Sequence, residues 1–173
     1  MTKDRFNDDL SALLPRLWRY AFVLCRDRDR SNDLVQATCE RALSRRSQFQ
    51  PGTRLDAWTF TILQSIWKND IRRDTIRRGR GFVDAEDAGL VDRRESAEGK
   101  IFLSEVLNAV DLLPEAQKSA IYLVYVEGLS YAEAAAALDI PAGTLTSRLV
   151  RARLKIAEAV GERSEADPRE RSR

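Results

Sequence analysis

The sequence predicts an all-α protein made of two small helical domains joined by a flexible linker, the C-terminal one a helix-turn-helix. Three observations carry this. Apolar residues recur at spacings of three and four along most of the chain, and no stretch alternates as a strand would. Residues 81–99 lose that rhythm and hold Gly81, Gly89, Gly99 and a surplus of acid, the composition of a linker. Residues 130–156, SYAEAAAALDIPAGTLTSRLVRARLKI, read as two short helices joined by a tight turn.

Leu10, Leu13, Leu14, Leu17, Ala21, Leu24 and Cys25 predict an amphipathic helix over residues 8–26, with Pro15 in its first turn or at a local kink. The charged string from Arg26 to Arg30 reads as a connector. Ser31 or Asn32 then caps a second helix to about Arg46, with Leu34, Val35, Thr38, Ala42 and Leu43 inward and Asp33, Gln36, Glu40 and Arg41 outward. Pro51-Gly52 makes the segment from Gln48 to Thr53 a loop. A third, long helix runs from near Leu55 to about Arg78. Its apolar positions Trp58, Ile62, Leu63, Ile66 and Trp67 give way to Lys68, Arg72, Arg73, Arg77, Arg78 and Arg80. Rings beside a basic run suit a nucleic-acid surface, since bases stack on rings while Arg and Lys take phosphates. The same pattern also suits tryptophans in the core and a solvated basic end, and for Trp58 the core fits better.

Past the linker, Ile101, Phe102, Val106, Leu107 and Val110 share one helical face that ends at Leu113-Pro114. Ala116, Ala120, Ile121 and Val124 define the next helix, which stops before Gly128. Ser130 and Glu133 stand in capping-box order, so hydroxyl and carboxylate can each satisfy an orphan backbone N–H. Asp139-Ile140-Pro141 breaks the alanine-rich helix, and proline suits the first turn of the next. There Leu145, Leu149, Ala152 and Ile156 form an apolar stripe beside a face of Thr144, Arg148, Arg151 and Lys155, with no acid between Pro141 and Lys155. A scaffold helix followed by a basic, small-polar helix is the arrangement that enters a major groove. A solvated basic helix closing an all-α domain fits the pattern equally well. The expected divisions are residues 1–80, a linker at 81–99, a second domain at 100–160 and a disordered tail at 161–173.

Composition narrows the chemistry. The chain has 173 residues, 43% hydrophobic and 32% charged, enough for a core in one or two domains. Its net charge of +2 conceals a sharp asymmetry. Residues 68–80 are mostly basic and residues 84–98 mostly acidic, and a basic patch points to a polyanionic partner. There is no histidine, which removes the commonest general base and metal ligand. Cys25 and Cys39 each sit in an apolar helical pattern and read as core fillers rather than a metal or redox pair. No targeting segment or membrane-length apolar run is evident, so a cytoplasmic location is expected. No phosphate-binding glycine loop and no nucleophile–base pair are visible either. An enzyme, a cofactor, a metal site and a small-molecule substrate are therefore not expected.

Several motifs together carry a resemblance. Asp33-Leu34-Val35-Gln36-Ala37-Thr38, Phe49-Gln50-Pro51-Gly52-Thr53 and Ala57-Trp58-Thr59-Phe60-Thr61-Ile62-Leu63 resemble region two of the extracytoplasmic-function sigma factors of bacterial RNA polymerase. Leu113-Pro114-Glu115, the segment from Tyr125 to Tyr131, Ile140-Pro141-Ala142-Gly143-Thr144 and Ser147-Arg148-Leu149 resemble region four. The wording between Phe49 and Leu63 is most similar to the alphaproteobacterial general-stress subgroup.

The resemblance implies an alternative sigma factor that binds core RNA polymerase and directs it to particular promoters, with an anti-sigma protein as a further partner. Asp33, Gln36 and Arg41 would meet the polymerase. The loop of Gln48, Gln50, Pro51, Gly52, Thr53 and Arg54 would receive an unstacked base of the minus-ten element. Trp58, Lys68, Asn69, Arg72 and Arg73 would hold the strand around it. Tyr131, Thr144, Thr146, Ser147, Arg148, Arg151 and Lys155 would bind or read the minus-thirty-five element. This sequence departs from the family in Gln64-Ser65-Ile66-Trp67-Lys68-Asn69-Asp70, in Asp139 where a glycine is usual, and in apolar Val150 and Leu154. Two other readings share the motifs: a sigma-like decoy that binds the anti-sigma protein without directing transcription, and a free-standing helix-turn-helix regulator.

Overall fold

Phe6 decides where the first helix begins. In the computed structural model, which describes residues 3–78 and 106–166, helix α1 spans Lys3–Cys25. It starts ahead of its leucines because the fully buried Phe6 ring packs edge-on against Phe49 (6.0 Å) and Trp58 (6.3 Å). Pro15 therefore lies in the helix interior, not the first turn, on the solvent side, where losing one backbone N–H bond is least costly. Leu14 is also on the exposed side.

The next connection is shorter than the charge string suggests. Arg26 takes a left-handed conformation (φ 52°) that closes α1, and α2 spans Arg28–Ser44. Its cap is Asp27, whose carboxylate accepts the Arg30 backbone N–H at 2.7 Å, not Ser31 or Asn32. Ser31 is inside the helix, fully buried, its hydroxyl donating to the Asp27 carbonyl. Leu34, Val35, Thr38 and Ala42 face inward as expected, but Leu43 is 48% exposed because it falls off the stripe they make. A short 3-10 turn, Arg46–Gln48, follows. The loop closes as a turn in which the Thr53 N–H donates to the Gln50 carbonyl, with Pro51 second and Gly52 third at φ +91°, where glycine is strain-free. Helix α3, Leu55–Arg78, has the bounds the sequence predicts.

The described part of α4 covers residues 106–111. Helix α5, Glu115–Ile121, runs into a π-helical turn, Tyr122–Val126, and α6 is Tyr131–Leu138. Both halves of the Ser130–Glu133 capping box are present. Asp139 stands in the left-handed region (φ 52°, ψ 55°), which aspartate tolerates, and α7 spans Ala142–Ala166. Pro141 sits just ahead of α7, its carbonyl accepting the Leu145 N–H. Helix α7 continues past Gly161, into the segment the sequence assigns to a tail. The linker at 81–99, Ile101, Phe102 and everything after Ala166 lie outside the described residues.

The two helical domains do not stand apart. Their buried apolar side chains form one cluster, from Phe6, Leu17 and Phe60 to Leu123, Leu138 and Leu149. Helix α3 lies along α6, and α1 reaches α5. At the centre the fully buried Tyr20 ring stacks on Tyr122 at 5.1 Å. Trp67 Nε1 donates to Glu115 at 2.8 Å. A paired aromatic contact of this kind adds about 0.5–1.5 kcal/mol beyond the area it buries.

Candidate nucleic-acid interface

The surfaces that the sequence nominates divide into three groups. On α2, Asp33 and Gln36 are exposed, and Gln36 donates to Glu40 at 3.0 Å. Asp33 borders a notch of about 240 Å³ whose apolar floor is Leu34, Ala37 and Trp67. Arg41 belongs elsewhere. With Arg45, Gln48, Trp58, Thr61 and Ser65 it lines a second notch, of about 190 Å³, between the end of α2 and α3. Sequence alone does not nominate Arg45, Thr61 or Ser65, because only folding brings the end of one helix against the middle of the next. Two guanidinium groups, a ring edge and two hydroxyls there supply donors and a stacking surface, the mixture that binds unpaired nucleotides.

The loop residues Gln48, Gln50, Pro51, Gly52 and Thr53 are all exposed, and the Thr53 hydroxyl donates to the Gln50 carbonyl at 2.7 Å. Trp58 is half-buried, with one side against Phe6 and Phe49 and one edge on the 190 Å³ notch. Asn69, Arg72 and Arg73 are exposed along α3, Arg73 lying 3.8 Å from Asp70.

Arg54 and Lys68 are placed differently from their neighbours. Arg54 donates to both oxygens of Asp56 (2.8 and 3.1 Å), to the Gly128 carbonyl at 3.0 Å and to Glu133 at 3.3 Å. Lys68 donates to the Leu138 carbonyl and lies 3.8 Å from Asp139. Asp56 is the hub of this network, since it also accepts Arg16 at 2.9 Å while Arg16 binds the buried Glu127 at 2.6 Å. Burial pushes the Asp56 carboxyl up, but hydrogen bonds from Arg54, Arg16 and the Ala57 N–H outweigh it and hold it down to about 2. The Ser130 N–H and hydroxyl, with the Arg54 charge behind them, hold the Glu133 carboxyl below its ordinary value.

The divergent stretch 64–70 finds its explanation here. Gln64 is buried and bonds the Tyr20 hydroxyl at 3.3 Å, Trp67 reaches Glu115, and Lys68 reaches the end of α6. These side chains serve the junction between the domains.

In α7, Leu145, Leu149 and Ala152 are fully buried and hold the helix on its scaffold. Thr146, Arg151 and Lys155 are exposed, and Thr144, Ser147 and Arg148 are half-buried. Among the described residues none of Arg148, Arg151 or Lys155 has an acidic partner, and the first turn carries no acid. Tyr131 is exposed beside Tyr125, and Val150 and Leu154 are exposed too. Burial pushes the Cys25 thiol up to about 11 and raises that of Cys39, which keeps both protonated at neutral pH. Among the described residues no acidic, cysteine or histidine group could hold a metal, and no helix is long and apolar enough to cross a membrane.

Comparison with known proteins decides what this arrangement is. Over 154 residues the chain is 38% identical to the ECF RNA polymerase sigma factor EcfG of Rhodopseudomonas palustris, covering 89% of this chain and 84% of that one. The chain belongs to the extracytoplasmic-function sigma factors. Residues 103–156 of this sigma factor match the family described as sigma-70, region 4, and residues 10–64 match the sigma2 domain of PhyR. Its fold superposes on the sigma factor RpoE of Bartonella quintana, solved in complex with the anti-sigma factor NepR, with a TM-score of 0.77 and 30% identity over 92% of this chain and 98% of that one. EcfG and RpoE support the general-stress placement. The PhyRSL–NepR complex of Sphingomonas sp. Fr1 shares the fold, with a TM-score of 0.64 and 19% identity over 92% and 90% of the two chains. As a member of its family this is an alternative sigma factor, a non-enzymatic initiation factor that acts with RNA polymerase.

Proposed function

We propose that this sigma factor works in the cytoplasm, docks on core RNA polymerase through the Asp33 and Gln36 side of α2, captures an unstacked promoter base at the Gln48–Arg54 loop, and reads the upstream element with α7. Residues 1–80 and 100–160 act as the two domains for these tasks, and an anti-sigma protein is the further partner. The observation that carries the reading is the pairing of an exposed loop beside the notch of Arg41, Arg45, Gln48 and Trp58 with an acid-free, unpaired basic face on α7. Melting a promoter costs a few kcal/mol per unstacked base, which capture in such a notch offsets. Duplex reading needs a helix in the major groove, where arginine pairs with guanine edges.

The test is core polymerase with this chain on a cognate promoter, followed by a pull-down and permanganate footprinting of promoter thymines. Asp33→Ala with Arg41→Ala removes polymerase binding, whereas changes at Gln50 or Thr53 spare binding and block opening. A chain that does not bind polymerase refutes the reading.

A second reading, a decoy that binds an anti-sigma protein without directing transcription, is favoured by the likeness of residues 10–64 to the sigma2 domain of PhyR. It predicts polymerase binding without opening, even on premelted templates.

A further inference from the structure

We propose that the free chain is closed on itself, the two ends of α6 occupying Arg54 and Lys68, so that this part of the surface takes a single-stranded backbone only after the second domain lifts from α3; this rests on the strand-capture reading above. The clamp is built at both ends of one short helix. At its N-terminal end the Gly128 carbonyl and the Glu133 carboxylate accept Arg54, so Glu133 serves the capping box and the clamp together. At its C-terminal end α6 has no basic residue of its own in the last turn. Lys68 of the other domain takes the Leu138 carbonyl and supplies the positive charge that a helix C-terminus favours.

Each of these acceptors is what a phosphate oxygen would replace. A guanidinium or ammonium that already donates to a carbonyl and a carboxylate has to give up those bonds before it takes a nucleic-acid backbone. The ties are partly exposed, with side-chain exposures of 41% for Arg54, 34% for Lys68 and 30% for Glu133. Ion pairs at such exposure are individually weak, so the clamp biases the chain toward the closed form without locking it.

The bias is one-sided. Arg148, Arg151 and Lys155 on α7 have no acidic partner among the described residues. Closure therefore occupies cations of the strand-holding surface and leaves the duplex-reading cations open. The domains are set to act in order, duplex first and single strand second.

The test uses the full chain and the double variant Glu133→Gln with Asp139→Asn. Glutamine keeps the capping-box bond and asparagine tolerates the left-handed turn, so the fold is retained while both carboxylate ties go. Amide hydrogen exchange over residues 119–123 and 134–138 reads closure, and anisotropy with labelled oligothymidine reads strand binding. Loss of two weak ties predicts about fivefold faster exchange there and about fivefold tighter oligothymidine binding. Raising salt quickens the same amides in the wild-type chain. Equal exchange in the two proteins overturns the proposal, and so does faster exchange with unchanged affinity. An equal gain in affinity from Asp8→Asn with Glu158→Gln, which removes the same charge away from the clamp, overturns it too. If adding Arg54→Ala and Lys68→Ala to the opened variant leaves oligothymidine binding unchanged, the strand-capture reading itself falls, whatever exchange shows about closure.

Discussion

Asp56→Asn tests the electrostatic account of the junction most directly. Asp56 sits in the first turn of α3 and gathers Arg54, Arg16 and the Ala57 N–H on one carboxylate, which is 13% exposed. Its pKa falls from the ordinary 3.8 to about 2. Each pKa unit is worth about 1.4 kcal/mol, so the ionised carboxylate contributes about 2 kcal/mol at pH 7. Because the folded value is the lower one, that contribution is complete above the unfolded value near 4 and is lost as pH falls through 2, with roughly half remaining at pH 3. Urea unfolding of wild type and Asp56→Asn at pH 7 and pH 3 measures it. The gap between the two proteins should be about 2 kcal/mol at pH 7 and shrink by about half at pH 3, with no change in the denaturant slope. A gap that is the same at both pH values would mean that the loss comes from shape, not charge. A gap under about 0.5 kcal/mol would mean that the bonds to Asp56 contribute no more than ordinary surface contacts.

Ser130→Ala removes the cap of α6 and should cost about 1 kcal/mol in thermal or urea unfolding, with Ser130→Gly costing less. Arg148→Ala or Arg151→Ala should weaken binding to the preferred upstream site by about 1–3 kcal/mol and lose selectivity at one base position, read by binding across single-base variants. Arg72→Ala with Arg73→Ala should weaken promoter complexes on all sequences alike and flatten the salt dependence by about 0.7–0.9 in slope for each phosphate no longer neutralised, read from a salt titration.

What the sequence reveals and what it withholds follow from the range of the interactions. The capping box at Ser130 and Glu133, the buried stripe Leu145–Leu149–Ala152 and the left-handed Asp139 depend on neighbours within a turn or two, and such spacings are visible in one dimension. The α2 cap is hidden because Arg26-Asp27-Arg28 looks like a charged connector, yet a left-handed Arg26 lets the chain turn in two residues and frees Asp27 to cap. Phe6 escapes the pattern because its partners, Phe49 and Trp58, are more than forty residues away. The same distance hides the junction. Arg16 with Glu127 and Arg54 with Glu133 have no periodicity to announce them, and Gln64, Trp67 and Lys68 register only as departures from a family pattern. On the candidate interface, the exposed loop and the α7 face are legible. The notch that adds Arg45, Thr61 and Ser65 is not, since it is made by two helices whose relative rotation only the packed core sets.

The π-helical turn at Tyr122–Val126 gives the junction an unusual sensitivity to chain length. There the Glu127 N–H reaches back to the Tyr122 carbonyl at 3.0 Å, five residues away. In an α-helix two such positions would point roughly 140° apart, whereas the wider turn brings them nearer one side. Tyr122 can then meet Tyr20 while Glu127 meets Arg16, both contacts falling on α1. A single-residue deletion within this turn would restore ordinary helix yet swing everything after it by roughly 100°. The scaffold helix, its cap and the reading helix would all be carried away from α1 and α3 as one piece. Substitutions here alter one interaction; deletions reset the phase of half the protein.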